Sequence, residues 1–242
     1  MISRVGNFSS SEIYNLMSKG RGAWSVENTG KPFDTYIRNK IWEARLGRGL
    51  YQRQNSRITT WGLFVEKMVF DKLSLNYELV SKTRYTHPNI ERWTGMPDAI
   101  TRDKKTVSDI KCPWTLTSFC EMIDAMAEGW ERLKEVKPEY YWQLVSSSIL
   151  TGANEAELIV YVPYKEDLED IKEAANTHSW DGSLSENDVA FINFASDSEL
   201  PYLKKSGVYQ DLNSLKFTVP EEDKHLLTER VKMAVKILED QL

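Results

Sequence analysis

Two acidic residues and one lysine have the types and the spacing that phosphoryl chemistry needs. Asp98 lies in residues 94–100 (Thr-Gly-Met-Pro-Asp-Ala-Ile), and Asp109 and Lys111 lie in residues 106–113 (Thr-Val-Ser-Asp-Ile-Lys-Cys-Pro). Because side chains alternate along a strand, Asp109 and Lys111 would project from one face. Two carboxylates at one sheet edge repel each other, and a hard divalent cation offsets that repulsion. A lysine beside them can orient a water molecule or stabilise charge on a phosphate.

The flanking residues favour a β-hairpin with a site over a solvated strand face. Acid-x-Lys triplets also begin at Asp103, Glu135, Asp170 and Glu222, so the triplet alone would more often mark a solvated surface. Its context distinguishes this triplet: a strand pattern, a Cys-Pro stop after it, and the chain's one Pro-Asp pair a strand earlier. Residues 102–105 (Arg-Asp-Lys-Lys) suit the turn between the two strands.

A third carboxylate, Glu66, falls on a predicted helix that is otherwise strongly apolar. This helix, residues 59–73, places Glu66 on the side of Val69 and Phe70. Burying a carboxylate among such residues is costly unless a charged group meets it. A glutamate at the exposed margin of the helix is the alternative. Gly62, one turn earlier, favours a site, because it allows a backbone or ligand to approach.

Composition indicates a globular protein with no membrane span. The chain has 242 residues, 41% of them hydrophobic, with a net charge of −5. No apolar run is long enough to cross a bilayer, and the N-terminus lacks a signal-peptide core. Two cysteines are too few for a disulfide framework and are typical of a cytoplasmic protein. Three scattered histidines disfavour a zinc or histidine-nucleophile mechanism.

Charge is distributed unevenly along the chain. Residues 19–57 hold nine Lys/Arg against three Asp/Glu, whereas residues 165–242 hold nine against seventeen. This asymmetry predicts a basic surface that could meet nucleic acid and an acidic far side. Solvated helix faces could produce the same counts.

Periodicity predicts an α/β (α+β) fold in which a mixed central sheet is flanked by helices. Helices are predicted at residues 9–19, 32–46, 59–73, 115–136, 138–151 and 220–241. Strands are predicted at 77–86, 94–100, 106–113, 157–164 and 189–195, with a further candidate at 215–219.

With these elements in place, the sequence resembles the phage lambda-type alkaline exonucleases, within the PD-(D/E)xK nuclease superfamily. The resemblance covers residues 4–163, and the matching pieces follow one another with fitting intervals. They are Arg4-x-Gly6, Ser11-Glu12, Lys19-x-Arg21, Trp61-Gly62 with Glu66, Pro97-Asp98, Asp109-x-Lys111-Cys112-Pro113, and Gln143 ahead of a strand that ends at Pro163.

The resemblance implies one nuclease domain over residues 1–242, with a restriction-endonuclease-like core at about 4–164 and an extension, 165–242, packed on it. It implies a Mg²⁺-dependent 5′→3′ exonuclease acting on ends of double-stranded DNA in phage-type recombination, with Mn²⁺ able to substitute. Expected partners are further copies in a ring-shaped homotrimer and a single-strand annealing protein. The expected location is the cytoplasm of a bacterial host, with the gene in a phage or prophage.

The resemblance also assigns roles to individual residues of the predicted metal site. Asp98, Asp109 and the backbone carbonyl of Ile110 would bind the first Mg²⁺. Glu66 would help to hold a second ion, and Lys111 would activate or position the attacking water.

Four residues would contact the DNA by the same resemblance. Arg4, Ser11 and Gln143 fall where the family grips the 5′-phosphate, and Arg21 falls where it reaches into the duplex. The alternatives are an endonuclease or repair nuclease of the same fold, or a non-catalytic DNA-binding ring protein.

Three positions depart from the lambda-type pattern. Met96 stands where the phosphate pocket has a serine, and Thr59 stands where an apolar residue splays the terminal base pair. The acid at the second core position is Asp109 where the lambda-type enzymes have glutamate, and the superfamily signature allows either.

Overall fold

The computed structural model describes residues 5–22, 25–50, 56–73, 76–177 and 184–242. The strands are β1 (Phe8–Ser9), β2 (Tyr77–Leu79), β3 (Tyr85–His87), β4 (Ile90–Gly95), β5 (Ala99–Thr101), β6 (Thr106–Lys111), β7 (Glu155–Tyr161) and β8 (Leu212–Thr218). The helices are α1 (Lys31–Leu46), α2 (Arg57–Lys72), α3 (Leu116–Glu128), α4 (Trp130–Val136), α5 (Pro138–Thr151), α6 (Leu168–Thr177), α7 (Glu186–Phe194) and α8 (Glu221–Glu239), with a 3₁₀ helix at Ser10–Met17.

A five-stranded mixed sheet in the order β2-β5-β6-β7-β8 forms the centre of the molecule. The β5–β6 hairpin is antiparallel as predicted, and β6 runs parallel to β7, with Asp109 opposite Leu158. The C-terminal region supplies β8, which pairs antiparallel with the whole of β7. A smaller sheet, in the order β1-β4-β3, leads from the N-terminus to the start of the hairpin.

Different helices cover the two faces of the central sheet. Leu158 and Val160 face a core that includes side chains of α3, α5 and α8. Ile110 and Ile159 face a second core, built with α2, α6 and α7. Because consecutive residues of β7 face opposite cores, this strand is apolar without interruption from Leu158 to Tyr161, whereas β6 contributes only Val107 and Ile110 to the cores. The predicted mixed sheet flanked by helices is confirmed.

Several predicted elements differ in the structure. The strand predicted at 94–100 is interrupted, because β4 ends at Gly95 and β5 begins at Ala99, so Asp98 lies in a bend between them. The helix predicted at 9–19 is the 3₁₀ helix Ser10–Met17. Residues 189–195, predicted as a strand, belong to helix α7, because Ser185 and Asp188 form a reciprocal capping box that starts a helix. The predicted helix 115–136 is divided into α3 and α4 at Gly129, whose φ is 110°. Residues 77–86 form two short strands, β2 and β3, that lie in different sheets. Within the described residues, no helix is long and apolar enough to span a membrane.

Candidate active site

The base of the β5–β6 hairpin places Asp98 beside the backbone of β6. Ala99 pairs with Ser108, and the N–H of Asp98 donates to the Ser108 carbonyl at 3.2 Å. The N–H of Ile110 then donates to Oδ2 of Asp98 at 2.7 Å, so the carboxylate replaces a strand partner. Because the N–H and C=O of one strand residue point to the same edge, the Ile110 carbonyl also points to the Asp98 side.

Asp109 is held between β6 and α5. Its side chain is 1% exposed. Gln143 Nε2 donates to Oδ1 at 2.5 Å, and Lys111 Nζ lies 2.5 Å from Oδ2. Lys111 in turn lies over the Tyr140 ring, 5.3 Å from its centroid. A buried carboxylate needs this charged and hydrogen-bonded surrounding, because an uncompensated charge in the interior is strongly destabilising.

Helix α2 brings Glu66 to the same end of the sheet. The helix begins with a cap in which Ser56 Oγ accepts from the N–H of Thr59, and it buries Trp61 and Val65 against the second core. Glu66 follows this buried stripe and is half-buried. Among the described residues, its side chain has no hydrogen bond or ion pair, and only the charges of Lys111 and Lys67, beyond ion-pair distance, favour its ionised form. The structure therefore places a carboxylate at the edge of an apolar core without a direct partner.

Gly62, one turn before Glu66, lies beside the end of β6. A Cβ added there would approach the carbonyl oxygen of Cys112 to 3.9 Å, which is an ordinary van der Waals distance. The protein alone therefore does not require a glycine at this position.

Mutual repulsion dominates the electrostatics of the site. Burial, and then the charges of Asp109 and Glu66, raise the pKa of Asp98 well above its usual range. Burial and the nearby Asp109 raise the pKa of Glu66 to about 7. Burial opposes the charged form of Lys111, but Asp109 and Asp98 outweigh it and raise the pKa of the ammonium. With all three carboxylates ionised, their negative charge exceeds the positive charge of Lys111, and a divalent cation would favour that ionised state.

The donor atoms of this cluster suit a hard cation. All side-chain donors are carboxylate oxygens, and Asp98 Oδ1 has no protein partner in the part of the chain that the structure describes. No three carboxylate, imidazole or thiolate groups among these residues already lie close enough to enclose an ion. Mg²⁺ keeps several waters and takes few protein carboxylates, so a complete cage is not needed. The donor set fits Mg²⁺, and the ligand assignment stays a prediction.

Comparison with known proteins adds fold evidence to this geometry. No family model and no curated protein matches the sequence. An alkaline exonuclease from Laribacter hongkongensis superposes with a TM-score of 0.62 at 15% identity, over 98% of this chain and 90% of that chain. The chain has the alkaline exonuclease fold. The same enzyme in complex with dAMP gives a TM-score of 0.61 at 15% identity, with the same coverage of both chains. A phage-related exonuclease from Haemophilus somnus gives 0.59 at 14% identity, over 97% and 94%.

Of the residues predicted to contact DNA that the structure describes, only Gln143 lies in the carboxylate cluster. Gln143 joins it through Asp109, so its amide positions a carboxylate in this structure. Ser11 and Arg21 are exposed, and no contact among the described residues links either to the carboxylates. Arg4 lies outside the described residues.

Ser11 nevertheless belongs to an element that packs close to the site. Its neighbour Ser10 shares a 2.8 Å hydrogen bond with Ser146, which lies on α5 one turn after Gln143. Gly95 completes this junction, because a Cβ there would clash with Ser10 Oγ. The 3₁₀ helix is therefore fixed against the helix that holds Asp109.

Two contributions to the site are absent from the sequence interpretation. Tyr140 packs under Lys111, and its position three residues before Gln143 on one helix is the signal that could have found it. The Ile110 N–H binds Asp98, and this bond depends on where β5 begins, which periodicity does not define.

The two positions that depart from the family's DNA contacts lie at the edges of these elements. Met96 is half-buried directly before the hairpin, and Thr59 lies in the first turn of α2.

Proposed function

We propose that this chain is a Mg²⁺-dependent exonuclease that degrades double-stranded DNA from its 5′ ends. The observation that carries the proposal is the cluster of Asp98, Asp109, Glu66 and Lys111 at the end of β6, within the alkaline exonuclease fold. The solved proteins that share this fold are exonucleases, and one of them was solved in complex with dAMP.

The cluster supplies the groups that phosphodiester hydrolysis needs. Asp98, Asp109 and the Ile110 carbonyl would hold one Mg²⁺, and Glu66 would help to hold a second; Mn²⁺ would substitute. Such a pair of bound ions supplies a nucleophilic water and stabilises the leaving oxygen.

The remaining groups of the site orient these donors and the water. Gln143 and Lys111 bind the two oxygens of Asp109 and so fix the carboxylate in one orientation. The side chain of Lys111 is 23% exposed, which allows its ammonium to reach a phosphate or water in the cleft. In that position it would stabilise charge that develops on the phosphate in the transition state.

Contacts beyond the cluster would select the DNA end. Arg4 and Ser11 would hold a terminal 5′-phosphate, because an arginine fork can bond two phosphate oxygens at once. Gln143 would complete this pocket or hold Asp109. Arg21 would reach into the duplex, and its exposure leaves it accessible to DNA. A phosphate held beyond the metal site determines which bond is cut, which gives 5′→3′ polarity.

The proposal includes an assembly and a biological role. A ring-shaped homotrimer would enclose the duplex, with basic side chains of residues 19–57 facing the DNA; Arg38, Arg45 and Arg48 are exposed. The product strand would pass to a single-strand annealing protein during phage-type recombination in the cytoplasm of a bacterial host.

One experiment separates the proposal from its alternatives. Linear duplex labelled at the 5′ or 3′ end, and covalently closed circular duplex, are incubated with the protein and Mg²⁺. We expect rapid release of mononucleotides from the 5′ label and no cleavage of the circle. A cut circle would indicate an endonuclease, early loss of the 3′ label would reverse the polarity, and binding without cleavage would indicate a non-catalytic protein. Asp98→Asn is the control for contaminating nucleases.

A further inference from the structure

One arginine of the C-terminal helix joins two separate segments of the N-terminal region. Arg230 of α8 is completely buried. Its Nη1 donates to the carbonyl oxygens of Leu16 and Ser18, both at 3.2 Å. Its Nη2 donates to the carbonyl oxygens of Ser25 and Asn28, at 3.0 and 3.1 Å. Each nitrogen of the guanidinium fork therefore holds a different segment.

These segments are the two arms of a loop between the 3₁₀ helix and α1. We call residues 18–22 and 25–30 the basic loop. Lys19 forms an isolated β-bridge with Thr29, and the N–H of Gly30 donates to the Ser18 carbonyl at 3.2 Å. Lys19 and Arg21 project from the first arm and are exposed. Within the described residues, neither side chain has an ion pair.

A buried guanidinium at this place is not explained by stability alone. Its desolvation is costly, and an apolar side chain of similar volume often replaces a buried charge without loss. The planar fork nevertheless donates to four carbonyls at once, and three of them (those of Ser18, Ser25 and Asn28) also accept a backbone N–H within the loop, so Arg230 ties together two arms that are already paired. The ring of Phe33 supports the guanidinium from one side, at 5.5 Å.

We propose that Arg230 is a positioning residue that holds the basic loop in the shape in which Lys19 and Arg21 contact duplex DNA. This inference rests on the proposed function. It gives the acidic C-terminal region a part in DNA binding that does not require it to touch DNA. Since no contact among the described residues joins the loop to the carboxylate cluster, the role concerns affinity and leaves the chemical step unaffected.

Arg230→Lys tests the proposal, because one ammonium cannot span both arms. Affinity for a short duplex is measured by fluorescence anisotropy in EDTA, where no cleavage occurs. We expect Kd to rise roughly tenfold and the slope of log K against log salt to fall in magnitude by about two, as for the withdrawal of two cationic side chains from the DNA. At saturating DNA with Mg²⁺, kcat should stay within about twofold of wild type while KM rises. Adding Lys19→Ala and Arg21→Ala to Arg230→Lys should weaken binding no further.

Controls separate positioning from general destabilisation. Leu238→Ala removes a buried side chain from the same helix, remote from the loop, and should lower stability without changing Kd. Gly30→Ala would place a Cβ 2.7 Å from the Lys19 carbonyl and disturb the loop without touching α8. It should reproduce the weakened binding even if Arg230→Lys does not fold.

The outcomes have distinct meanings. Wild-type affinity in folded Arg230→Lys or in Gly30→Ala would overturn the role of Arg230, as would an equal loss of affinity in Leu238→Ala. Strict additivity with Lys19→Ala and Arg21→Ala would also overturn it. A wild-type protein with no affinity for duplex DNA would instead refute the proposed function.

Discussion

Replacing Glu66 with glutamine tests the charge cluster without any assumption about DNA. The pKa of Glu66 is raised from 4.5 to about 7, because the group is buried and lies near Asp109. A carboxyl whose pKa is higher in the folded than in the unfolded state stabilises the fold at low pH. That stabilisation is lost as the pH rises through the folded-state pKa. The difference between the two pKa values is equivalent to about 3 kcal/mol of unfolding free energy.

The expected result follows from this direction of the pH dependence of stability. In EDTA, Glu66→Gln and wild type should unfold at nearly the same urea concentration at about pH 4.5, where Glu66 is protonated in the folded state. At about pH 8.5 the variant should be more stable by about 3 kcal/mol, because the wild type must hold an uncompensated carboxylate. Addition of Mg²⁺ at the higher pH should stabilise the wild type more than the variant. Tryptophan fluorescence during urea titration measures the unfolding of both proteins under all three conditions.

An exposed carboxylate on the same helix provides the control for Glu66→Gln. Asp71→Asn removes that charge and should show no such pH-dependent gain. If Glu66→Gln is no more stable than wild type at the higher pH, Glu66 does not repel its neighbours. Equal stabilisation of both proteins by Mg²⁺ would remove Glu66 from the metal site.

Three further predictions concern activity. Asp98→Asn should reduce cleavage by at least about three orders of magnitude, several kcal/mol, because it removes a charged metal ligand, and unchanged turnover in kinetics with Mg²⁺ would contradict the assignment. Lys111→Ala should lower kcat about a hundredfold with Kd for DNA unchanged, whereas weaker binding at full rate would make it only a phosphate contact. Arg4→Ala should slow digestion of 5′-phosphorylated duplex roughly tenfold more than of 5′-hydroxyl duplex, and equal effects would mean that Arg4 does not hold the phosphate.

The hairpin and the chemistry of its residues could be predicted because both depend on local sequence. Alternation along β6 sets Asp109 and Lys111 on one face, and the polar turn defines where the strands separate. By contrast, residues 189–195 are predicted to form a strand because the segment is rich in β-branched and aromatic residues (Val189, Phe191, Ile192 and Phe194). The capping box at Ser185 lies before this segment, and it starts the helix that includes these residues.

Contacts between distant elements could not be predicted in the same way. The bond from Gln143 to Asp109 joins α5 to β6 and depends on how the helix packs across the sheet. The hold of Arg230 on the basic loop joins residues more than two hundred positions apart. No periodicity or spacing in the sequence encodes either contact, because each is set by tertiary packing.

The treatment of buried charge distinguishes the candidate site from the rest of the molecule. Arg230 is buried with four carbonyl acceptors, and Asp223 is buried with hydrogen bonds from Lys134 and Tyr141. These groups satisfy the rule that interior charges are partnered.

Glu66 and Asp98 break that rule at one end of the sheet. The Glu66 carboxylate has no hydrogen bond or ion pair among the described residues, and Asp98 accepts a hydrogen bond at only one of its oxygens. Burial and mutual repulsion raise the pKa values of both. Lys111 and Lys67 oppose only part of this repulsion, so the two carboxylates carry a cost that folding alone does not explain. Such local violations are expected where a site is shaped for a ligand that the fold itself does not supply. The negative charge gathered there supports the proposed Mg²⁺ site on grounds separate from the resemblance to known nucleases.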